Sequence, residues 1–139
     1  MNHAALLETL ARAEPEALKA LASELLPELG AVEVIASRSG LVMAPMRDTA
    51  QGTDFHLGEV LVAEAHIRLP ETGTEGYGLI PGMDLERAMA MAVLDAAHLS
   101  DRGADAVARF AAEQARAQAE ADTETLRRIE ATRVEMETF

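Results

Sequence analysis

An α+β fold is expected from three features of the chain. Apolar residues recur at helical spacing near the N-terminus, a two-residue period runs through the middle, and an alanine-rich apolar helix follows a Pro-Gly break. The expected order is an N-terminal helical pair over 3–29, an antiparallel sheet of about four strands over 31–81, and a buried helix over 84–100. Together these make an α+β domain spanning 1–103. Residues 104–139 are expected to form a C-terminal helical arm ending in a partner-docking tail.

Leu6, Leu7 and Leu10 form a short helical stripe. Pro15 suits a first helical position, and Leu18, Leu21, Ala22 and Leu25 continue the spacing until Pro27 and Gly30 close the unit. From Val32 the period becomes two: Val32, Val34 and Ala36 alternate with Glu33, Ile35 and Ser37 in a first strand. Leu41 to Met46 reads as a second, with Pro45 marking an edge or a bulge. After the polar run Asp48–Asp54, a long third strand places Phe55, Leu57, Leu61, Ala63, Ala65, Ile67 and Leu69 on one face. Val60, Val62, Glu64, His66 and Arg68 fall on the other, and Gly58 suggests a bulge or a close backbone approach. Glu75–Ile80 makes a fourth strand, in which Gly76 and Gly78 leave one face nearly bare.

Asp84 fits a helix N-cap with Glu86 in the first turn. From Ala88 to Leu94 the helix is apolar all round, so burial on more than one side is expected, with Gly103 as its stop. Beyond it, Val107, Ala111, Ala115, Leu126 and Ile129 form a sparse stripe. Between Glu113 and Glu124 only alanines are available to bury, too little apolar area for the helix to be held by its own domain. The arm is therefore expected to reach across a partner.

Composition narrows the chemistry. With 24 acids against 12 bases the net charge is −12, and Lys19 is the only lysine. No basic face for nucleic acid or an anionic membrane is expected. The absence of cysteine excludes disulfides, thiolate metal sites, iron–sulfur ligation and thiol catalysis in this chain. No apolar run approaches a bilayer-spanning length, and the cytoplasm is the default compartment.

Few side chains offer reactivity. His56, Glu64 and His66 share one strand, and imidazole with carboxylate suits zinc or manganese, so a small stand-alone metallohydrolase is the rival reading. A solvated polar strand face explains the same residues more simply. Asp95, near the end of an apolar helix with His98 one turn on, is either an acid of raised pKa or a paired buried residue. Gly73-Thr-Glu-Gly-Tyr-Gly lacks the lysine and the strand-to-helix placement of a phosphate loop and reads better as a hairpin. The tail Thr132–Phe139 puts Val134, Met136 and Phe139 beyond a polar helix, which favours docking on another chain with Arg133 at the rim. Burying those three side chains would contribute about 4–8 kcal/mol before ordering costs.

The segments Gly40-Leu-Val-Met, Phe55-His-Leu-Gly-Glu-Val-Leu-Val-Ala-Glu-Ala, Gly76-Tyr-Gly, Gly82-Met-Asp, Glu86-Arg-Ala, Asp95-Ala-Ala and Ala131-Thr-Arg-Val resemble, in order and spacing, the PhnG family. That family is the G subunit of the bacterial carbon–phosphorus lyase core complex. Its usual tail carries a small polar residue, an aromatic and a methionine, where this chain has Glu135, Met136 and Phe139. The resemblance implies phosphonate catabolism in a hetero-oligomer containing two copies each of subunits G, H, I and J. With H, I and L, the family transfers the ribose triphosphate of ATP to an alkylphosphonate, releasing adenine and giving a ribose 1-phosphonate 5-triphosphate. Subunit J then cleaves the C–P bond with an iron–sulfur cluster and S-adenosylmethionine. The resemblance implies no catalytic, cofactor or metal residue in this chain. Its expected sites are the interface residues Arg133, Val134, Met136 and Phe139.

Overall fold

In the computed structural model the elements run α1 (His3–Ala11), α2 (Pro15–Leu25), a 3₁₀ turn (Leu26–Leu29), β1 (Glu33–Arg47), β2 (Asp54–Leu69), β3 (Thr74–Pro81), α3 (Leu85–Ser100) and α4 (Ala104–Glu137). The structure describes residues 1–47 and 54–137, and side chains outside 44–57 and 135–139. The fold is α+β, with four α-helices and a three-stranded antiparallel sheet in the order β1-β2-β3 among the described residues.

Three strands stand where about four were expected, because the first two are one. β1 runs unbroken through Ser37-Arg38-Ser39-Gly40, pairing Ser37 with Ala65 and Gly40 with Val62. Polar residues and a glycine broke the apolar period there, but the ladder of backbone bonds did not need it. The irregularities fall at Ile35, an extra residue between Val34 and Ala36, and opposite Pro45, where Leu57 is extra on β2 beside Gly58.

The core lies between the sheet and the helices. Ala63, Ala65, Ile67 and Leu69 on β2 and Ile80 on β3 are buried against α3, which is itself buried from Ala90 to Ala97. On its other sides α3 meets α1, α2 and the start of α4, so an all-round apolar helix has an all-round set of neighbours. Gly76 and Gly78 make the closest approach. A Cβ on Gly76 would collide with the Ala92 carbonyl and come within 2.8 Å of Ala96 Cβ, and one on Gly78 would collide with the Ala88 carbonyl. The bare strand face is thus matched by alanines one helical turn apart.

Two local signals at the helix ends hold: Pro15 opens α2, and Asp84 caps α3 by accepting from the Arg87 amide at 3.0 Å. Asn2, which gave no signal beforehand, caps α1 by accepting from the Ala5 amide at 2.8 Å. The stop of α3 comes earlier than Gly103, at Asp101 in a left-handed conformation (φ 59°). Asp101 tolerates this geometry better than most side chains, and Gly103 (φ 95°) instead leads into α4.

Candidate functional site

The outer face of the sheet collects polar side chains by register. Arg38 pairs with Glu64, Ala36 and Tyr77 both pair with His66, and Arg68 pairs with Glu33 and Glu75. The Tyr77 hydroxyl donates to Glu64 Oε1 at 2.7 Å and Arg38 Nε donates to Oε2 at 3.2 Å. Those two donors, the hydroxyl first, hold the Glu64 carboxyl below its ordinary pKa, and the same bond raises that of Tyr77. His66 packs edge-on to the Tyr77 ring at 5.8 Å and lies 3.4 Å from Glu75.

This arrangement separates the residues of the metallohydrolase reading. Glu64 is engaged by a hydroxyl and a guanidinium, and His66 faces a ring and a different carboxylate. His56 lies eight residues from Glu64 along β2, a span of roughly 26 Å at strand rise, too far to share an ion. Its side chain falls outside the described set. Among the described residues no three potential ligands converge.

Asp95 is only 2 % exposed and is a paired residue. Its Oδ2 accepts the Tyr77 amide at 2.9 Å, and its Oδ1 accepts from His3 Nε2 at 2.7 Å. One carboxylate therefore joins α1, β3 and α3. Asp95 is legible in the sequence but its partner His3 is not, because 92 residues separate them and no local pattern connects them. His98 makes no contact with Asp95 among the hydrogen bonds and ion pairs described, and its Nδ1 is buried without a partner. Gly73 sits in the β2–β3 turn with φ 74°, its amide bonded to the Leu69 carbonyl at 2.8 Å, which is the hairpin reading of that segment.

The surfaces that stand out are apolar. β3 pairs only with Val62–Leu69, and its ladder ends where the Gly82 amide meets the Leu61 carbonyl at 2.8 Å. Beyond that point β1 and β2 continue as a two-stranded ribbon. Leu41, Val42 and Met43 are consecutive and all exposed (61, 44 and 52 %), so both faces of the ribbon are exposed at these positions, with exposed Val60 opposite Val42. A two-stranded ribbon has no interior of its own. Its signal was present in Gly40-Leu-Val-Met, an apolar run without alternation.

The second such surface is α4. Its first turns pack: Val107 and Ala111 are buried, Glu14 donates its amide to Gln114 Oε1, and Gln118 donates to the Thr9 carbonyl. Every residue from Ala119 to Val134 is exposed. Arg12 reaches Asp122 at 3.1 Å. Beyond lie Leu126 at 66 % and Ile129 at 58 % exposure, with Val134 also exposed. Of the expected interface residues, Arg133 and Val134 lie on this exposed stretch, Met136 is on the helix with its side chain undescribed, and Phe139 lies outside the described residues. The stretch from Glu113 was expected to have too little apolar area for its own domain to hold it, yet about half of α4 is held by that domain through α1 and α3, with Gln114 and Gln118 supplying hydrogen bonds in place of apolar area.

The family model described as phosphonate metabolism protein PhnG matches residues 1–139. The chain belongs to the PhnG family. No curated protein matches the sequence. Membership ties the chain to phosphonate metabolism, and the match covers the ribbon and the arm as well as the packed body. No helix among the described residues of this PhnG-family chain is long and apolar enough to cross a membrane.

Proposed function

We propose that this PhnG-family chain is a non-catalytic subunit of a carbon–phosphorus lyase core complex. It works with the H, I and L subunits as they transfer the ribose triphosphate of ATP to an alkylphosphonate with loss of adenine. The J subunit, carrying the iron–sulfur cluster and using S-adenosylmethionine, follows. The observation that carries this reading is the exposure of the consecutive apolar residues Leu41, Val42 and Met43, which lie on both faces of the ribbon. Such a surface is the mark of a subunit rather than of a stand-alone enzyme. The polar residues support the same reading. Glu64, His66, Asp95 and Lys19 are engaged with other side chains or amides of the fold.

The test is reconstitution. The H, I and L subunits, co-expressed with and without this chain, are supplied with ATP and methylphosphonate, and adenine release is measured. Adenine release should require the chain, and Asp95→Asn or His66→Ala chains that assemble should support it at near wild-type rates. Release without the chain contradicts its being a required subunit, and loss of release in an assembled complex carrying either variant contradicts a non-catalytic role.

A further inference from the structure

The order β1-β2-β3 leaves β1 at the edge of the sheet, with the backbone groups of its outer side unpaired among the described residues. Edge strands are usually guarded by charges, prolines or bulges, because a bare edge pairs readily with another strand. Here the guards stand at the two ends, an irregularity at Ile35 and Pro45 with the register shift beside it. Between them the run 36–44 carries one charge, Arg38, whose Nε already donates to Glu64 on β2. Ser37, Ser39 and Gly40 keep this edge low, and a Cβ on Gly40 would meet nothing within 4 Å. The buried side chains of the sheet lie on β2 and β3, over which α3 packs, and no described residue of β1 is buried.

The other edge of the ribbon is less fit for pairing. The Leu61 carbonyl is taken by the Gly82 amide, and the stretch of β2 before it contains the extra Leu57 and Gly58 at φ 146°. A row of unpaired backbone donors and acceptors is matched by another extended strand, so the occupant of the β1 edge is a strand. The sequence of β1 itself fits that place. Two copies of β1 paired antiparallel about Val42 set Leu41 beside Met43 of the second copy on one face, and Val42 beside its own mate on the other. Each exposed apolar residue of the run thus gains an exposed apolar neighbour. Val60, opposite Val42 on β2, extends the row to four valines across four strands. The ladder, 39–45 on each copy, contains no charge, and Pro45, without an N–H, falls opposite Ser39 and ends it. A pair about Gly40 or Leu41 would set Met43 beside a serine instead, and an axis beyond Val42 would bring Pro45 further into the ladder.

We infer that two copies of this chain pair through their β1 edges, antiparallel about Val42, joining two three-stranded sheets into one of six strands. The ribbons overlap side by side with the two packed bodies at opposite ends, and the helices over β2 and β3 stand clear of the contact. A two-fold contact of this kind closes on itself and does not propagate. It goes beyond the assignment to a phosphonate complex and does not depend on it.

The chain has no cysteine of its own, so single cysteines report the register. Full-length Val42→Cys, treated with a short bismaleimide alone and in the co-expressed complex, should give a covalent dimer, because the two positions stand roughly 5 Å apart. Ser39→Cys, equally exposed, should not, since its two positions lie six residues apart along the strands, roughly 20 Å. Charge at the axis is the second arm. Val42→Lys alone and Val42→Glu alone should each weaken self-association in sedimentation about fivefold, by setting like charges opposite one another. Mixing the two variants should restore it. Unchanged melting temperatures keep the comparison to association. A Val42→Cys chain that does not link, a Ser39→Cys chain that links as readily, linking only to a different subunit, or a mixture that stays apart each overturns the pairing. Adenine release in the reconstituted reaction tests the proposed function separately.

Discussion

Single residues decide the tightest contacts of this fold, and glycine decides the closest of them. Gly78 on β3 faces the Ala88 carbonyl so closely that a methyl group has no room. Gly78→Ala should therefore lower stability by about 1–3 kcal/mol or more, as overpacking of a filled site does, in urea unfolding followed by circular dichroism. A neutral result would mean the strand and helix are not in contact there. Asp95→Ala should cost about 1–3 kcal/mol by leaving the Tyr77 amide without its acceptor and His3 without its partner. The glycines were readable in sequence as a bare strand face. The partner of Asp95 was not, since His3 comes from another helix and only the folded chain brings them together.

Charge at the start of α3 adds a pH dependence of defined sign. Lys19, first, and the Arg87 amide, second, hold the Asp84 carboxyl below its ordinary pKa, while its bond to Asp84 raises Lys19. A group whose folded pKa is lowered adds stability above its unfolded pKa and loses it as pH falls through the folded value. Asp84 and Glu64 should thus both make the fold less stable as pH drops below the ordinary carboxylate range. Lys19 acts oppositely: its contribution is full below its unfolded value near 10.5 and is lost only as pH rises through the raised folded value. Asp84→Asn keeps an N-cap acceptor but removes the charge, and it should flatten the acid limb of stability against pH measured by denaturant melts. An acid limb unchanged by the substitution would place the titration elsewhere.

At the level of elements, periodicity was a good guide where burial was one-sided and a poor one where it was not. The alternation of β2 placed Ala63, Ala65, Ile67 and Leu69 inward and Glu64, His66 and Arg68 outward, as found. Helix α3, apolar all round, was correctly expected to be surrounded. The ribbon escaped because its strands have no inside: Leu41 to Met46 was expected as a separate strand with Pro45 at an edge or a bulge, and only the end of β3 at Pro81 shows that no described strand covers Leu41 to Met43. Substituting Leu41→Ser, Val42→Thr and Met43→Ser should leave the denaturation midpoint nearly unchanged, since those side chains are already in water. The same change should reduce aggregation of the isolated chain in light scattering. A large fall in stability would show that the ribbon packs on its own body.

The whole molecule is a small packed body with two extensions, an apolar ribbon and a mostly polar arm that exposes Leu126, Ile129 and Val134. The body supplies stability through α3 and the sheet, and the extensions are long enough to grip other chains. Such a chain alone should self-associate or aggregate and should bind ATP negligibly, because Lys19 is engaged by Asp84 and the net charge is −12. Calorimetric titration showing micromolar affinity for ATP without partners would contradict this. The family was legible from the order of short segments, and the match over residues 1–139 agrees. Which apolar surfaces stand exposed was legible only in part, because the sequence singled out the tail and the structure shows the ribbon as well.

The central claim, that the chain acts by binding other subunits through its extensions, is tested most directly by co-purification. A tagged wild-type chain, a chain lacking 132–139 and the triple ribbon variant are each co-expressed with the H, I and J subunits, and the recovered partners are quantified. The wild-type chain should retain them in constant ratio. The truncated and ribbon variants should remain folded by circular dichroism yet lose most of the bound partners. Recovery by both variants at the wild-type level would contradict the account, because the exposed apolar surfaces would then have no part in assembly.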